Sequence, residues 1–396
     1  MAMEHSGSGS NTYLFNTDFC LLVTNQIMEK EAAKGSNFVA SPLSIHVVLS
    51  LAAAGSTGHT LKQFLHFLKS NSVSDLNIMS SMLINVASPI EGSDKNLAGG
   101  PLLSFVNGAW LDQRFPLKST FQQILKATYK AEPKNAEEVV QEVNLWAETE
   151  TKGLIKQLLP TGSLDKYTVL VLANALYFKG AWDQKFDPSM TQLRDFHLLN
   201  GQTVRVPFMT NQSFMGQLYG SFNGFKLLKI PYQSGQDPRK FSMYFFLPNE
   251  KDGLLSLIQK IKLNPGLLNQ RYHLWYEDLA HFWIPKFKFS SEFEASETMK
   301  EMGLKLPFKS GELTEMVDSP YSDDLFVSRV FHKSFIEVNE EGAEASASTA
   351  VKSQMLCARI VTPSFVADHP FLFVIKEETH GIIFFIGAVL NPLLDA

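Results

Sequence analysis

Residues 335–365 read FIEVNEEGAEASASTAVKSQMLCARIVTPSF. Ile336 and Val338 suit a strand, but the apolar bulk then stops. A run of Ala, Ser and Thr takes over, followed by Met355-Leu356-Cys357-Ala358-Arg359. Side chains this small cannot build a core. In a strand, successive side chains alternate between faces. From Ala343 onward that puts Ala343, Ala345, Ala347, Thr349 and Val351 on one face, and Glu344, Ser346, Ser348, Ala350 and Lys352 on the other. The pattern is that of a half-buried strand written in weak strand formers. A strand meant to form at once would use Val, Ile and aromatic residues. One that stays out and later slips between existing strands is served by small inward side chains. Inserting about ten residues would add on the order of 5–15 kcal/mol in net ladder hydrogen bonds, before packing gains and ordering costs. Taken alone, the composition fits a plain Ala/Ser surface loop better, so the rest of the chain has to decide.

At 396 residues and 45% hydrophobic, the chain can bury roughly three quarters of its unfolded surface. Its net charge is -5, and no Lys/Arg block stands out, which argues against a nucleic-acid partner. Two cysteines, Cys20 and Cys357, make no disulfide framework and fit a reducing compartment. The start, MAMEHSGSGSNTYLF, lacks a basic segment followed by an apolar one, so a cytoplasmic protein is expected, with release outside the cell left open. Residues 1–10 read as a disordered tail. Apolar runs such as HVVLSLAAAG and GIIFFIGAVL are too short to span a bilayer, and no membrane partner is expected.

No enzyme motif emerges. The ten histidines are scattered, with no HExxH or Cys/His ligand spacing. GxSxG, GxxxxGK[ST] and GxGxxG are all absent. Cys357 lacks an identifiable base, and a lone cysteine of that kind is ordinarily structural or incidental. The expectation is a protein that is not an enzyme and uses no metal or cofactor.

Helical signals dominate the first 160 residues. Ser41-Pro42 places a capping hydroxyl before a proline suited to the first turn, and Gly55 closes the helix. AEEVVQEVNLWAETETKGLIKQLL spaces Val143, Leu145, Trp146 and Leu154 as one amphipathic helix. Strand-like runs follow: TVLVLANALYF (168–178), FSMYFFLP (241–248) and AHFWIPKFKFS (280–290). FLFVIKEETHGIIFFIGAVL reads as two buried strands around a polar turn ending in Gly381. Helices early and strands late predict an α+β fold in one large domain.

The quoted stretch has company. HKSFIEVNEEGAEASASTA resembles the hinge of the serpin family of protease inhibitors. NFVASPLSIHVVLSLAAAGSTGHTLKQ (37–63), VNLWAETETKGLIKQLLPTGSLDKYTVLVLANALYFKGAWDQKFD (143–187), FVADHPFLFVI and FFIGAVLNP resemble other segments of that family, in the right order. The resemblance runs from about Asn11 to Pro392, and FVADHPF makes it most similar to plant serpins. It implies one serpin domain over 11–396 with three β-sheets, about nine helices and an exposed reactive-centre loop at about 340–364. It also implies a mechanism in which a protease cuts the loop, forms an acyl-enzyme and is carried along as the loop enters the main sheet.

The resemblance further implies roles for single residues. Glu340, Glu341, Gly342, Ala343, Glu344, Ala345, Ser346 and Ala347 match the hinge. The cleaved bond lies fourteen residues past the hinge glycine, which from Gly342 gives Leu356–Cys357. Leu356 suits a chymotrypsin-like serine protease. Met355 suits the second pocket of a papain-like cysteine protease and is also the neighbouring register. Arg359 is a trypsin site three residues further on. Ser41, Ser44, Asn174 and His332 match a hydrogen-bonded shutter; an N-cap, a buried amide and a core histidine are their plainer readings. Trp182, Lys286 and Glu340 match the breach where insertion starts, with the Lys286–Glu340 pair read as a surface salt bridge that gates more than it stabilises. The protein is expected to be a monomer that meets one endopeptidase. A non-inhibitory serpin serving as storage, chaperone or binding protein is the alternative, and the small Ala343, Ala345 and Ala347 speak against it.

Overall fold

A computed structural model describes residues 18–88, 100–112, 114–130, 132–135, 139–150, 153, 156–164, 168–211, 216–341 and 362–394. The N-terminal third holds α1 (Asp18–Ala33), β1 (Phe38–Ala40), α2 (Pro42–Ala54), α3 (Gly58–Phe67), α4 (Val73–Ala87), β2 (Leu102–Leu111), α5 (Ser119–Tyr129) and β3 (Glu132–Asn135). The middle runs through α6 (Val139–Glu150), β4 (Leu170–Lys179), β5 (Gln192–His197), β6 (Thr203–Met209), β7 (Gln217–Phe222), β8 (Phe225–Pro231), β9 (Phe241–Pro248), α7 (Leu254–Leu263) and α8 (Gly266–Asn269). The last part comprises β10 (Trp275–Glu277), β11 (His281–Pro285), β12 (Phe287–Glu294), α9 (Ser296–Glu301), β13 (Arg329–Val338), β14 (Ser364–Val366), β15 (Phe371–Glu377) and β16 (Ile382–Val389). The α+β expectation holds: the strands form three sheets, and nine α-helices lie among the described residues.

One sheet has seven strands in the order β1-β16-β15-β9-β8-β7-β10, with every neighbouring pair antiparallel. Its centre is apolar on both faces: all residues of β15 and β16 are buried. Gly387 makes room for this packing, since a Cβ there would stand 2.3 Å from the Phe373 ring. The five-stranded sheet runs β12-β13-β4-β2-β3 and the four-stranded sheet β14-β11-β6-β5. Helix α2 lies between the larger two, packed on β16 of one and on β2 and β4 of the other. Every residue from Pro42 to Ala53 is buried, which explains an apolar sequence with no polar face.

The Ser41 cap forms as read: its side chain accepts from Ser44 N at 3.2 Å. Gly55 also ends the helix, but not through a left-handed turn; its φ is -99°. A Cβ there would meet Met316 Cγ at 2.1 Å, so close approach is what demands glycine.

Two element readings need correction. The long amphipathic helix ends at Glu150, with Gly153 at φ 81°. Leu158 and Leu159 leave the helix because the Asn144 side chain takes both their amides at 2.7 Å and donates to the Leu159 carbonyl at 2.9 Å. Val143 and Ala147 form the buried face, while Leu145 is exposed; Leu154 lies outside the described residues. Likewise AHFWIPKFKFS is two strands in two sheets. β11 ends at Pro285, and Lys286 N turns to the Pro207 carbonyl at 2.9 Å before β12 begins in the five-stranded sheet.

Candidate functional site

The seam between β13 and β4 organises the site. These strands are parallel and directly paired, from Arg329 opposite Val171 to Phe335 opposite Tyr177. Each has an antiparallel neighbour on its other side, β12 beside β13 and β2 beside β4. A polar row crosses the sheet at mid-seam: His332, Asn174 and Asn107 are successive register partners, with Phe293 flanking His332 on β12. Asn174 Nδ2 donates to Asn107 Oδ1 at 2.5 Å. His332 Nε2 accepts from the backbone N–H of Ser41 at 3.1 Å, and Ser334 Oγ lies 2.7 Å from the same nitrogen. An amide only donates, so Nε2 is unprotonated and the ring is neutral. Burial agrees, pushing the His332 pKa down to about 3. The helix that backs the sheet is thus tied, at the Ser41 cap that precedes it, to a strand of the seam.

The upper end of the seam is held by different chemistry. Trp182 Nε1 donates to the Asn339 carbonyl at 2.8 Å, and its ring stacks on Tyr232 at 4.5 Å. Phe186 N donates to the Glu340 carbonyl at 3.1 Å. The Glu340 carboxylate takes Lys286 Nζ at 2.7 Å on one oxygen and Thr191 Oγ1 at 2.7 Å on the other. Burial alone would raise this carboxyl's pKa, but the hydrogen bonds from Lys286 and Thr191, a backbone hydrogen bond and the lysine charge hold it below the ordinary glutamate value. Glu340 is buried, so the pair is not the surface salt bridge read from the sequence. A partly desolvated, doubly bonded carboxylate is held more firmly than an exposed one.

Structure and sequence meet unevenly here. Ser41, Asn174 and His332 are brought to one seam, and Trp182, Lys286 and Glu340 to its end. Ser44 is buried beside them, but its hydroxyl has no partner among the described residues. Glu341 is the last described residue before the gap, its N–H donating to Asn339 Oδ1 at 3.1 Å. Gly342, Ala343, Glu344, Ala345, Ser346, Ala347, Met355, Leu356, Cys357 and Arg359 lie outside the described residues. The chain returns at Thr362, and Pro363 accepts from Ala280 N at 2.8 Å. Reading the sequence missed Asn107, Thr191, Tyr232 and Ser334. Asn107 alone left a signal, a lone amide inside the apolar run LLSFVNGAWL.

Residues 15–392 match the family model described as "Serpin (serine protease inhibitor)". Serpin-ZX of Arabidopsis thaliana is 47% identical over 91% of this chain and 93% of its own length. Serpin-Z1C of Triticum aestivum is 43% identical, with 96% of each chain covered. Among solved structures, Arabidopsis AtSerpin1 in its native stressed conformation is similar at TM-score 0.82 and 44% identity, covering 95% of this chain and 99% of that one. Serpin48 of the insect Tenebrio molitor is similar at TM-score 0.81 and 26% identity, covering 97% of this chain and 100% of that one.

Proposed function

The chain belongs to the serpin family of protease inhibitors, and on that premise we propose that it is a suicide substrate cleaved between Leu356 and Cys357. The carbonyl carbon of Leu356 is attacked by the serine Oγ of a chymotrypsin-like protease or the cysteine Sγ of a papain-like one. The bond to the Cys357 nitrogen breaks, and that nitrogen leaves as an amine carrying the proton the nucleophile lost. What remains is an ester or thioester on Leu356. The freed segment then enters the β4–β13 seam, and the displaced protease no longer completes hydrolysis of the acyl bond.

The observation that carries this reading is the direct parallel pairing of β13 with β4. A chain that leaves the end of β13 and turns back runs antiparallel to both strands. Inserting it would replace one parallel pairing with two antiparallel ones, the better-bonded arrangement. The segment that follows β13 has the small, alternating side chains such an insertion needs. The His332–Asn174 row would have to part, and a row of short hydrogen-bonding side chains separates with less loss of packing than interlocked aromatics. The Trp182 and Glu340 contacts pin the end at which entry starts. The same hinge composition argues against a storage, chaperone or binding role, and both cysteines suit a reducing cytoplasm.

The test is incubation with chymotrypsin, trypsin and papain, followed by denaturing gels and mass analysis of the released peptide. The expected result is a covalent adduct with chymotrypsin or papain and a C-terminal fragment beginning at Cys357. Cleavage by every protease with full release of active enzyme would overturn the inhibitor reading in favour of a non-inhibitory one.

A further inference from the structure

Trp275 and Tyr276 are 68% and 74% exposed, unusual for the two side chains that bury most area in cores and interfaces. Successive strand residues point to opposite faces, so both faces of β10 are bare. The cause is topological: among the described residues β10 ends the seven-stranded sheet and pairs with β7 alone. Gln217, the register partner of Glu277, reaches a groove of about 380 Å³ that Met190, Leu279, Ala280, His281 and Trp283 also line. Asp278 is exposed and Glu277 half-buried at the same place, and neither forms an ion pair among the described residues.

The groove lies where the reactive loop returns. Ala280 N donates to the Pro363 carbonyl, and Ser364 pairs with His281, so the loop's C-terminal end borders the groove itself. Leu356 is six residues before Thr362, which confines it to within about 20 Å of that point. Trp275 is five residues before Ala280, at most about 17 Å away. A protease domain of about 220 residues has a radius of gyration near 17 Å. A body that size held at Leu356 is therefore within reach of this pole.

We propose that the Trp275–Tyr276 ledge and the adjoining groove are a second docking site for the protease held at Leu356–Cys357. Its occupant is a surface loop of that protease, with an apolar side chain entering the groove and a basic one facing Asp278 and Glu277. The proposal rests on the suicide-substrate reading and adds a determinant of which protease is captured quickly. Trp and Tyr are the residue types that dominate interface energies, and acidic neighbours speed encounter with a basic partner.

The experiment measures the second-order inhibition rate constant for papain and for chymotrypsin with wild type, Trp275→Ala/Tyr276→Ala, and Leu263→Ala as an exposed control on α7. The double variant is expected to unfold at the wild-type temperature. With at least one protease its rate constant should fall by roughly fivefold at unchanged stoichiometry, and the loss should persist at high salt, because the contacts removed are uncharged. Leu263→Ala should match wild type. Unchanged rates with both proteases would overturn the proposal. So would a wild-type dimer that the double variant dissolves without a change in rate, because the ledge would then serve a second copy of this chain. Absence of any adduct with wild type marks the different failure, that of the suicide-substrate reading, and this inference falls with it.

Discussion

Two pairs of strands in this protein look alike in sequence and behave differently. β15 and β16 form an antiparallel hairpin in which every residue is buried, and Phe371, Phe373, Phe384 and Phe385 join ring contacts to neighbouring strands and sheets. β4 and β13 are also largely buried, but they are parallel, carry Asn174 and His332 at mid-length, and are pinned at one end by Trp182, Lys286 and Thr191. Interdigitated aromatic side chains close a sheet for good, because opening it would expose all their area at once. Across the β4–β13 seam the described residues show one ring contact, Tyr177 with Phe335 at 5.8 Å, and a short polar pair at mid-length, so less interlocked area opposes its opening. The first pair is architecture. On the proposed mechanism the second is a joint.

The largest test of this contrast is cleavage at Leu356–Cys357. If the seam accepts the freed strand, about ten kcal/mol of added ladder bonding should raise the unfolding temperature by about 12 °C, read by scanning calorimetry before and after the cut. A nick ordinarily adds chain entropy and lowers stability. An unchanged or lower temperature after a clean cut would make the seam as permanent as the hairpin.

Next in size is a charge on the face that enters. Ala345→Arg or Ala347→Arg would carry an unpaired charge into the sheet, at several kcal/mol, whereas Ser346→Arg would leave it facing solvent. The first two should convert the inhibitor into a substrate, seen as a steep rise in stoichiometry of inhibition at an unchanged cleavage rate. Equal inhibition by all three would overturn the assigned faces, whereas a loss with Ser346→Arg alone would shift the register by one residue.

The hairpin gives the converse. Ile386 is fully buried in β16, and Ile386→Ala should cost about 2–5 kcal/mol in urea unfolding while leaving the stoichiometry of inhibition where it was. A change in partitioning between inhibitor and substrate would show that the two pairs are not separable.

The smallest effect is on acid stability. His46 and His332 ordinarily titrate near 6.5, and burial lowers them to about 4 and about 3. Below pH 6.5 the unfolded chain therefore binds protons that the folded one refuses. Stability should fall as pH drops from 6.5 to 5, each histidine contributing up to about 1.4 kcal/mol per pH unit. His332→Gln should remove one histidine's share of the slope in urea midpoints. A slope identical to wild type would place the proton elsewhere.

Much of this was legible in the chain. FSMYFFLP is β9 to the residue, and the terminal pair of strands around Gly381 forms as expected, because an unbroken apolar run has few places to go but the middle of a sheet. The Ser41 cap and Pro42 start are local chemistry and needed no partner. The alternation of residues 343–352 pointed to a strand held in reserve only together with the motifs elsewhere in the chain, and those residues lie outside the described ones. The misses share a different cause. AHFWIPKFKFS divides between two sheets because the Pro207 carbonyl, 79 residues upstream, captures Lys286 N. The α6 helix stops because a side chain in its own second turn is taken by a segment that folds back over it.

What the sequence by itself determined is therefore the periodic and the local: which runs are apolar on both faces and where a helix can start. Tertiary structure alone decided that Asn107, Asn174 and His332 form one row, that Thr191 completes the hold on Glu340, and that Trp275 and Tyr276 stand bare at a sheet corner. Each of these depends on strand order and register between segments far apart in the chain. A single polar residue in an apolar strand carries no mark of which partner it will face, because that partner is set by the packing of the whole molecule.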